Sequence, residues 1–278
     1  MGLAANATPR TKTPRNPRRR AMITSTTNQR VQWVRKLQSK RRARKHEGLF
    51  IIEGTRLANE AISSRSPAKL VIYTDAVKQD DSRLIDALIH LGAEVEEVSE
   101  RVMKACSDTE SPQGLLAVLP LPSPAPPANL SLALVADRVS DPGNLGTILR
   151  TAQAVGVEAV FLNPGTVDPY NPKVVRGAMG AHFHLPVIQE QTSEIEKHLR
   201  GMDVWVAEVG LGPPYYDVDW GKPSAIVIGS EAHGPSDELR SIAKGSTHIP
   251  MQDSTESLNA SVAAAVILFE IARMRGEG

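Results

Sequence analysis

The chain has 278 residues, of which 41% are hydrophobic and 23% charged, as is typical of a globular protein with one large domain or two ordinary ones. No apolar run reaches the length of about 18 residues that a membrane-spanning helix needs, and the longest run, at 262–269, predicts a buried helix. The single cysteine, Cys106, excludes an intrachain disulfide and argues against a cysteine-based metal site; it is expected to be a small buried residue.

The net charge of +1 hides a strong asymmetry along the chain. Residues 1–46 contain 14 Lys or Arg and no acidic residue, which leaves 18 basic and 31 acidic residues for the rest. A basic block on an acidic body favours contact with a polyanion such as RNA, because bound phosphates release counterions; a solvated tail without a partner is the alternative. The candidate RNA-binding residues in this block are Arg35, Lys36, Lys40, Arg41, Arg42, Arg44 and Lys45.

The first 118 residues divide into a tail and a small domain. Residues 1–28 carry Thr, Pro, Asn and Arg with few large apolar residues, so a disordered basic tail is expected. The tail lacks the apolar core of a secretory signal, and a transit peptide or a start at Met22 both stay open. Residues 29–118 alternate strands with helices, which predicts an α/β layer. The pattern predicts helices at 31–45, 55–62 and 81–91 and strands at 50–52, 69–73, 94–98 and 114–119.

A proline-rich segment separates this domain from a second one. Five prolines within residues 120–127 predict an extended linker over 119–129. Residues 130–278 repeat the alternation with short apolar strands, as expected for a parallel sheet covered on both faces. Strands are expected at 132–136, 159–162, 184–188, 204–208, 225–228 and 247–250, and helices at 145–155, 173–179, 193–199, 236–243 and 257–274.

Three segments that follow predicted strands carry the candidate chemistry, since open parallel sheets bind ligands beyond the carboxyl ends of their strands. The first is Asp141-Pro-Gly-Asn-Leu-Gly-Thr-Ile-Leu-Arg150. Its composition predicts a turn, with Asn144 capping the helix that follows. A glycine-containing turn that opens a helix can also hold an anion, although a plain turn and cap would explain the segment by itself.

The second segment, Ile228-Gly-Ser-Glu-Ala-His-Gly-Pro235, places Gly229 and Gly234 around Glu231 directly after a strand. Glycines let a ligand approach the backbone closely, and a carboxylate at a sheet edge is costly unless it is used or paired. An ordinary polar loop is the alternative interpretation, and His233 is more simply an exposed loop residue.

The third segment runs from Ile249 to Ala265, where a strand ends, a polar loop follows and Ser257-Leu-Asn259 opens a helix. Ser257 and Ser261 are four residues apart, so they are expected to share one face of that helix. The alanines at 260 and 263–265 predict that the helix packs closely on other backbone. A well-capped core helix without further function is the alternative.

In this order, the three segments resemble the signature motifs of the SpoU/TrmH family of RNA ribose 2′-O-methyltransferases, in the SPOUT superfamily. The resemblance covers about residues 130–272 and rests on Asn144, Arg150, Gly229, Glu231, Gly234, Ile249-Pro-Met251 and Ser257-Leu-Asn259. Residues 30–118 resemble the L30e-like substrate-binding domain that often precedes the catalytic one. Their matching segments are 40–42, 50–54 and 111–115.

The resemblance implies a catalytic domain over 130–278 with a deep trefoil knot, a homodimer through this domain, S-adenosylmethionine as methyl donor and no metal. The implied cofactor-binding residues are Gly229, Ser230, Glu231, Gly234, Ile249, Met251, Ser257 and Leu258. The implied catalytic residues are Asn144, Arg150, Glu231, Ser257 and Asn259. Arg150 is also expected to contact RNA. Whether it acts as a base or as a phosphate clamp, within its own subunit or across the dimer, stays open.

The predicted function is therefore 2′-O-methylation of a ribose in structured RNA, with ribosomal RNA favoured over transfer RNA because of the L30e-like domain. A non-catalytic RNA-binding or ribosome-assembly protein on the same scaffold is the alternative; the presence of Asn144, Arg150 and Asn259 favours an enzyme. No membrane association is expected. The expected location is the bacterial cytoplasm, or a mitochondrion or plastid if the tail is a transit peptide.

Overall fold

The computed structural model describes residues 21–123, 125–230, 234–252 and 256–276, which form two sheets with helices on both faces of each. The first half contains α1 (Gln29–Ser39), α2 (Arg41–Glu47), β1 (Leu49–Glu53), α3 (Thr55–Ser63), β2 (Leu70–Tyr73), α4 (Asp75–Asp80), α5 (Ser82–His90), β3 (Glu94–Glu97), α6 (Glu100–Cys106) and β4 (Leu115–Pro120). Its sheet has the order β1-β4-β2-β3, with β4 antiparallel to both neighbours.

Opposite faces of this first sheet pack on different helices, because neighbouring strand residues point to opposite sides. Helices α1, α2 and α6 bury their apolar side chains against one face, and α3 and α5 against the other. Cys106 on α6 is buried, which confirms its prediction as a small core residue. Burial raises the pKa of its thiol to about 11, so the sulfur stays protonated at neutral pH.

Three sequence predictions for this half were wrong. The single basic helix is broken at Lys40, whose backbone is extended, so that α1 and α2 are separate helices. Residues 21–28 are attached to the domain: Ile23 pairs with Val98 at the sheet edge and packs on the core, while residues 1–20 lie outside the described ones. Helices α4 and α6 were missed, because each has only six or seven residues and shows little periodicity.

The second half contains β5 (Leu132–Ala136), α7 (Pro142–Ala154), β6 (Ala159–Leu162), α8 (Pro172–Ala178), β7 (Val187–Gln189), α9 (Thr192–His198), β8 (Asp203–Ala207), β9 (Ser224–Ile228), α10 (Asp237–Ile242), β10 (Gly245–Thr247) and α11 (Ala260–Arg275). Its sheet has the order β10-β8-β9-β5-β6-β7, and every strand pair is parallel. Helices α7, α8 and α11 cover one face, and α9 and α10 the other. The predicted parallel sheet is confirmed.

Two helix starts of this half differ from the sequence prediction by three residues, and the other three differ by one. Asp141, not Asn144, caps α7, because its carboxylate accepts the Asn144 backbone N–H at 2.8 Å. The last helix begins at Ala260 with Asn259 as its cap, so Ser257 precedes the helix and shares no helical face with Ser261. This helix was also expected to be buried, but Val262 and Phe269 are 47% and 58% exposed on its outer side.

Helices α7 and α8 cross at two glycines that the sequence motifs do not single out. A Cβ on Gly146 would lie 2.9 Å from the Val174 carbonyl oxygen and 3.0 Å from the Gly177 Cα. The two backbones therefore touch, and any larger side chain at Gly146 would separate the helices. Since α7 carries Asn144 and Arg150, this crossing fixes both residues relative to α8.

The two halves pack on each other, although the sequence predicts only an extended linker between them. Arg44 of α2 donates from Nη2 and Nε to one Asp168 carboxylate oxygen, at 2.7 and 3.1 Å. Its Nη1 donates to the carbonyl oxygens that end α1. The interface continues with Phe50 against Tyr170, at 5.3 Å between ring centroids, and with Val175 buried in the first half's core.

This interface contradicts the prediction that Arg44 binds RNA. Its side chain is only 5% exposed, and its guanidinium is occupied by hydrogen bonds to Asp168 and to the carbonyl oxygens of Leu37 and Gln38. A run of basic residues on a short helix cannot point entirely to solvent, because one side of the helix must pack on the protein. His182 is also buried here and its Nε2 donates to the Pro169 carbonyl; burial lowers its pKa to about 4.

Two further findings concern the described parts of the chain only. None of their helices is long and apolar enough to cross a membrane. They also hold no group of three or more His, Cys, Asp or Glu side chains arranged to bind a metal ion.

Candidate active site

A cleft of about 250 Å³ lies beyond the carboxyl ends of β8, β9 and β10. It is bounded by the loops after these strands and by the first turns of α11. Seven of the eight residues that the resemblance assigns to the cofactor line it: Gly229, Ser230, Gly234, Ile249, Met251, Ser257 and Leu258. The eighth, Glu231, lies outside the described residues, as does His233.

The backbone after β9 turns back on itself beside the cleft. Ser230 and Gly234 form an antiparallel bridge, and a Cβ on Gly229 would lie 2.3 Å from the Pro235 backbone nitrogen. Only glycine fits at position 229, and Gly234 has a positive φ of +61°, which glycine adopts without strain. Gly229 and Gly234 therefore offer bare backbone to a ligand in the cleft.

The remaining walls of the cleft are mostly apolar. Ile228, Leu211 and Ile267 contribute aliphatic surface, and Ala260 and Ala263 leave space beside α11. A cleft of glycine backbone and flat apolar surface suits the adenine and methionine parts of S-adenosylmethionine. The residues present therefore fit this cofactor.

Sequence reasoning missed the wall that follows β8. Ala207, Glu208 and Val209 line the cleft because β8 ends next to β9 at the same edge of the sheet. Glu208 accepts hydrogen bonds from Arg240 at 2.9 Å and from Ser246 at 2.6 Å, so its charge is paired. The rule that ligands bind at the carboxyl ends of adjacent parallel strands would have found this segment once the strand order was known.

The first and third motifs meet next to the cleft. Asn259 donates from Nδ2 to the Asn144 side-chain oxygen at 2.9 Å. The Asn259 side-chain oxygen in turn accepts from the Ser261 hydroxyl at 2.7 Å and from the Ser261 and Val262 backbone N–H groups. The N-terminal ends of α7 and α11 are thus held together by side chains 115 residues apart in the sequence.

Arg150 lies apart from the other predicted catalytic residues. It is exposed on α7 and does not line the cleft, and its side chain makes no hydrogen bond or ion pair with any residue that the structure describes. Within one chain, the structure therefore brings Asn144 and Asn259 together and places Ser257 in the cleft, but it does not bring Arg150 to them.

The basic residues of α1 and α2 form an exposed surface on the first half. Six of the seven predicted RNA-binding residues in this region are exposed: Arg35, Lys36, Lys40, Arg41, Arg42 and Lys45. None of the six forms an ion pair with a described carboxylate. We call these six residues the basic surface.

An all-parallel α/β sheet with a glycine-lined cleft at the carboxyl ends of its strands defines a cofactor-binding α/β protein. Residues 131–269 match the model of the SpoU rRNA Methylase family, and residues 28–117 match the model of the MRM3-like substrate binding domain. The chain belongs to the SpoU rRNA methylase family. It is therefore a methyltransferase that acts on RNA ribose 2′-hydroxyl groups and uses S-adenosylmethionine.

Individual relatives cover nearly the whole chain. It is 33% identical to the 23S rRNA guanosine 2′-O-methyltransferase RlmP of Bacillus subtilis, over 90% of this chain and 98% of that protein. The AdoMet-bound rRNA methyltransferase of Sinorhizobium meliloti superposes with a TM-score of 0.81 at 29% identity, covering 91% of this chain and 97% of the other. AviRb of Streptomyces viridochromogenes, in complex with AdoMet, also gives 0.81 at 25% identity, covering 90% and 100%.

Replacing Gly229 by Ala is expected to weaken S-adenosylmethionine binding by about ten- to one hundredfold. The new Cβ would have to displace backbone at Pro235, and overpacking of this kind costs about 1–3 kcal/mol. Isothermal titration calorimetry on the free protein measures the change. Gly221→Ala is the control, since it stands in an exposed turn where the nearest heavy atom is a movable Asp219 oxygen. If Gly229→Ala and Gly221→Ala bound S-adenosylmethionine with equal affinity, the cofactor would have to bind at another site.

Proposed function

We propose that this protein methylates a ribose 2′-hydroxyl in ribosomal RNA, with its first half binding the RNA and its second half carrying out the transfer. The observation that carries the proposal is the glycine-lined cleft beside the Asn144–Asn259 pair, in a chain whose relatives are named as rRNA 2′-O-methyltransferases. We assign residues 29–118 to an L30e-like substrate-binding domain, 119–129 to a linker and 130–278 to the catalytic domain.

The basic surface supports the assignment of the first half to RNA binding. Six exposed cations without acidic partners among the described residues form a favourable contact for phosphates. The body of the chain is acidic, so this surface would also orient an approaching RNA.

We assign the cofactor to the cleft, held largely by backbone groups of Gly229, Ile249 and Leu258, with Gly234 and Met251 also lining the site. Ser230, Glu231 and Ser257 complete the proposed binding residues. We further propose that the chain forms a trefoil knot around this cleft. The segments 212–214 and 246–248, which would cross in such a knot, are in backbone contact. Pro214 pairs with His248, and a Cβ on Gly212 would lie 1.7 Å from the Ser246 carbonyl oxygen.

The bound cofactor supplies an electrophilic methyl group, and the protein must bring the ribose oxygen into line with it. Alignment alone can contribute about 7–11 kcal/mol to the lowering of the barrier. A guanidinium does not readily accept a proton, so we assign Arg150 to clamping the neighbouring phosphate and stabilising charge on the oxygen. Asn144, Asn259, Ser257 and Glu231 would orient the ribose.

A second copy of the chain would bring Arg150 to a cleft. Arg150 lies outside the cleft of its own chain, and the outer side of α11 carries an apolar stripe with Val262 and Phe269 exposed. Exposed apolar side chains of this size gain free energy when a partner covers them. We therefore propose a homodimer through the catalytic domain in which each subunit supplies Arg150 to the other's cleft.

The test is methyl transfer from labelled S-adenosylmethionine into ribosomal RNA that lacks the modification, with transfer RNA in a parallel reaction. Label recovered in a 2′-O-methyl nucleoside from ribosomal RNA supports the proposal. Label in transfer RNA alone would support the alternative substrate, and binding of RNA without any transfer would support a non-catalytic assembly role. We place the reaction where ribosomes are assembled, in the bacterial cytoplasm or in an organelle.

Removing three charges from the basic surface is expected to weaken RNA binding and to reduce its salt dependence. In the triple variant Lys40→Gln, Arg41→Gln, Arg42→Gln, the slope of log affinity against log salt should fall by about one for each phosphate that the variant no longer binds. Titrations at several salt concentrations measure this slope. Arg83→Gln is the control, because Arg83 is exposed on α5 across the sheet from α1 and α2. A slope unchanged in the triple variant would move the RNA site to another surface.

A further inference from the structure

Asp137 is a fully buried carboxylate directly after β5, the strand next to the cleft's strand β9. It does not line the cleft, and the motifs singled out in the sequence do not include it. A buried carboxylate is costly unless each oxygen has a partner, so the groups around it reveal what it holds in place.

Two elements of the catalytic domain donate to this carboxylate. Its Oδ1 accepts from Asn163 Nδ2 at 2.7 Å, and Asn163 is oriented by the Thr192 hydroxyl, which donates to the Asn163 side-chain oxygen at 2.9 Å. Its Oδ2 accepts the backbone N–H of Ser236 at 2.5 Å. Ser236 follows Pro235, so this hydrogen bond fixes the chain where it leaves the cleft.

Arg138 holds the other side of the same segment. Its backbone has a positive φ of +56°, unusual for a residue with a Cβ. In this conformation its Nη2 donates to the Gly234 carbonyl oxygen at 3.3 Å, and its Nε lies 3.7 Å from Asp137 Oδ2. Adjacent residues 137 and 138 thus bind adjacent parts of the segment 234–236.

We propose that Asp137, assisted by Arg138, is a positioning residue that fixes the cofactor-binding backbone at Gly234 and Pro235. Gly229 packs against Pro235, so displacement of Pro235 would also change the shape of the cleft at Gly229. Asp137 acts through the Ser236 amide and touches neither cofactor nor RNA. This inference rests on the proposed cofactor site.

The first test uses the protein without cofactor. In Asp137→Ala, the Ser236 amide loses its acceptor, and its hydrogen exchange should become at least tenfold faster than in the wild type. In Asp137→Asn, the amide oxygen of the new side chain can take the place of Oδ2 and accept the Ser236 N–H. Its Nδ2 then faces Asn163, which can turn its own amide to accept from Nδ2 and to donate to Thr192. Exchange in Asp137→Asn should therefore stay within about threefold of the wild type.

The second test measures cofactor binding and turnover. Calorimetry should show at least tenfold weaker S-adenosylmethionine binding in Asp137→Ala and less than threefold weaker binding in Asp137→Asn. In methyl transfer, the KM for S-adenosylmethionine should rise in Asp137→Ala, with kcat and the KM for RNA within about threefold. Asp168→Ala is the control, because it damages the interface between the halves and should leave cofactor affinity unchanged.

The inference would be overturned if Asp137→Ala bound S-adenosylmethionine with wild-type affinity. It would also be overturned if the KM values for S-adenosylmethionine and for RNA rose by the same factor. If Asp137→Ala does not fold, the variant Arg138→Met provides the test, because Arg138 is partly exposed and its replacement should be tolerated. S-adenosylmethionine binding should weaken three- to tenfold in Arg138→Met, and unchanged binding would overturn the inference. Calorimetry needs no RNA, so an error in the rRNA assignment leaves these results standing. If Gly229→Ala also binds normally, the proposed cofactor site itself is wrong.

Discussion

Replacing Arg150 by Ala is expected to slow methyl transfer by at least one hundredfold while S-adenosylmethionine binds as tightly as before. Arg150 does not line the cleft, so its removal leaves the cofactor's contacts intact. Loss of a group that stabilises charge in the transition state typically costs about 10²–10³ in kcat. Arg150→Lys is the matched control: it keeps the charge but loses the bidentate fork, so its rate should fall between those of the wild type and Arg150→Ala.

Single-turnover rates with saturating RNA, together with calorimetry for the cofactor, check this expectation. A rate for Arg150→Ala within threefold of the wild type would remove Arg150 from the proposed mechanism. Slower transfer that high RNA concentration fully restores would instead limit its role to RNA binding.

Mixed dimers decide whether Arg150 acts across the subunit interface. When Arg150→Ala subunits are mixed with Gly229→Ala subunits, a mixed dimer has one cleft that binds cofactor and faces the intact Arg150 of the other subunit. The assay uses S-adenosylmethionine well below the Kd of Gly229→Ala, where neither variant alone is active. If Arg150 acts across the interface, the mixture should therefore regain activity under this condition. If Arg150 acts within its own subunit, both clefts of the mixed dimer lack an essential group, and the mixture should stay inactive.

Replacing Asp168 by Ala is expected to lower the free energy of unfolding by about 3–5 kcal/mol, because it leaves the buried Arg44 guanidinium without its counter-ion. The side chains of this pair are 5% and 10% exposed, so the guanidinium left behind is largely shielded from solvent. At about 2–4 °C per kcal/mol for domains of this size, Tm should fall by roughly 6–20 °C.

Urea unfolding followed by circular dichroism measures this change. Lys197→Ala is the control, since its ion pair with Glu194 is half exposed and should contribute less than about 1 kcal/mol. The paired replacement Arg44→Met with Asp168→Leu removes both charges and should recover at least half of the loss. A loss below about 1 kcal/mol in Asp168→Ala would show that the two halves hold together without this ion pair.

The amino-acid sequence by itself determined the fold class of the catalytic half and the segments that line its cleft. Short apolar strands predict a parallel sheet, because both faces of such a sheet are covered. Glycines directly after a strand predict exposed backbone, since that property depends only on the local residue type and the strand end. These signals are local, which is why the glycines after β9 and the presence of a helix after residue 259 could be predicted from the sequence, although the start of that helix was placed three residues too early.

Only the tertiary structure decided which residues meet across long sequence separations. Arg44 belongs to a basic run, and its burial depends on Asp168, a partner 124 residues away. Asp137 acquires its role only because folding brings Ser236 to it, and Glu208 lines the cleft only because β8 pairs with β9. Composition and spacing indicate what a side chain can do, but burial and partners depend on packing between distant segments, and these contacts set its role.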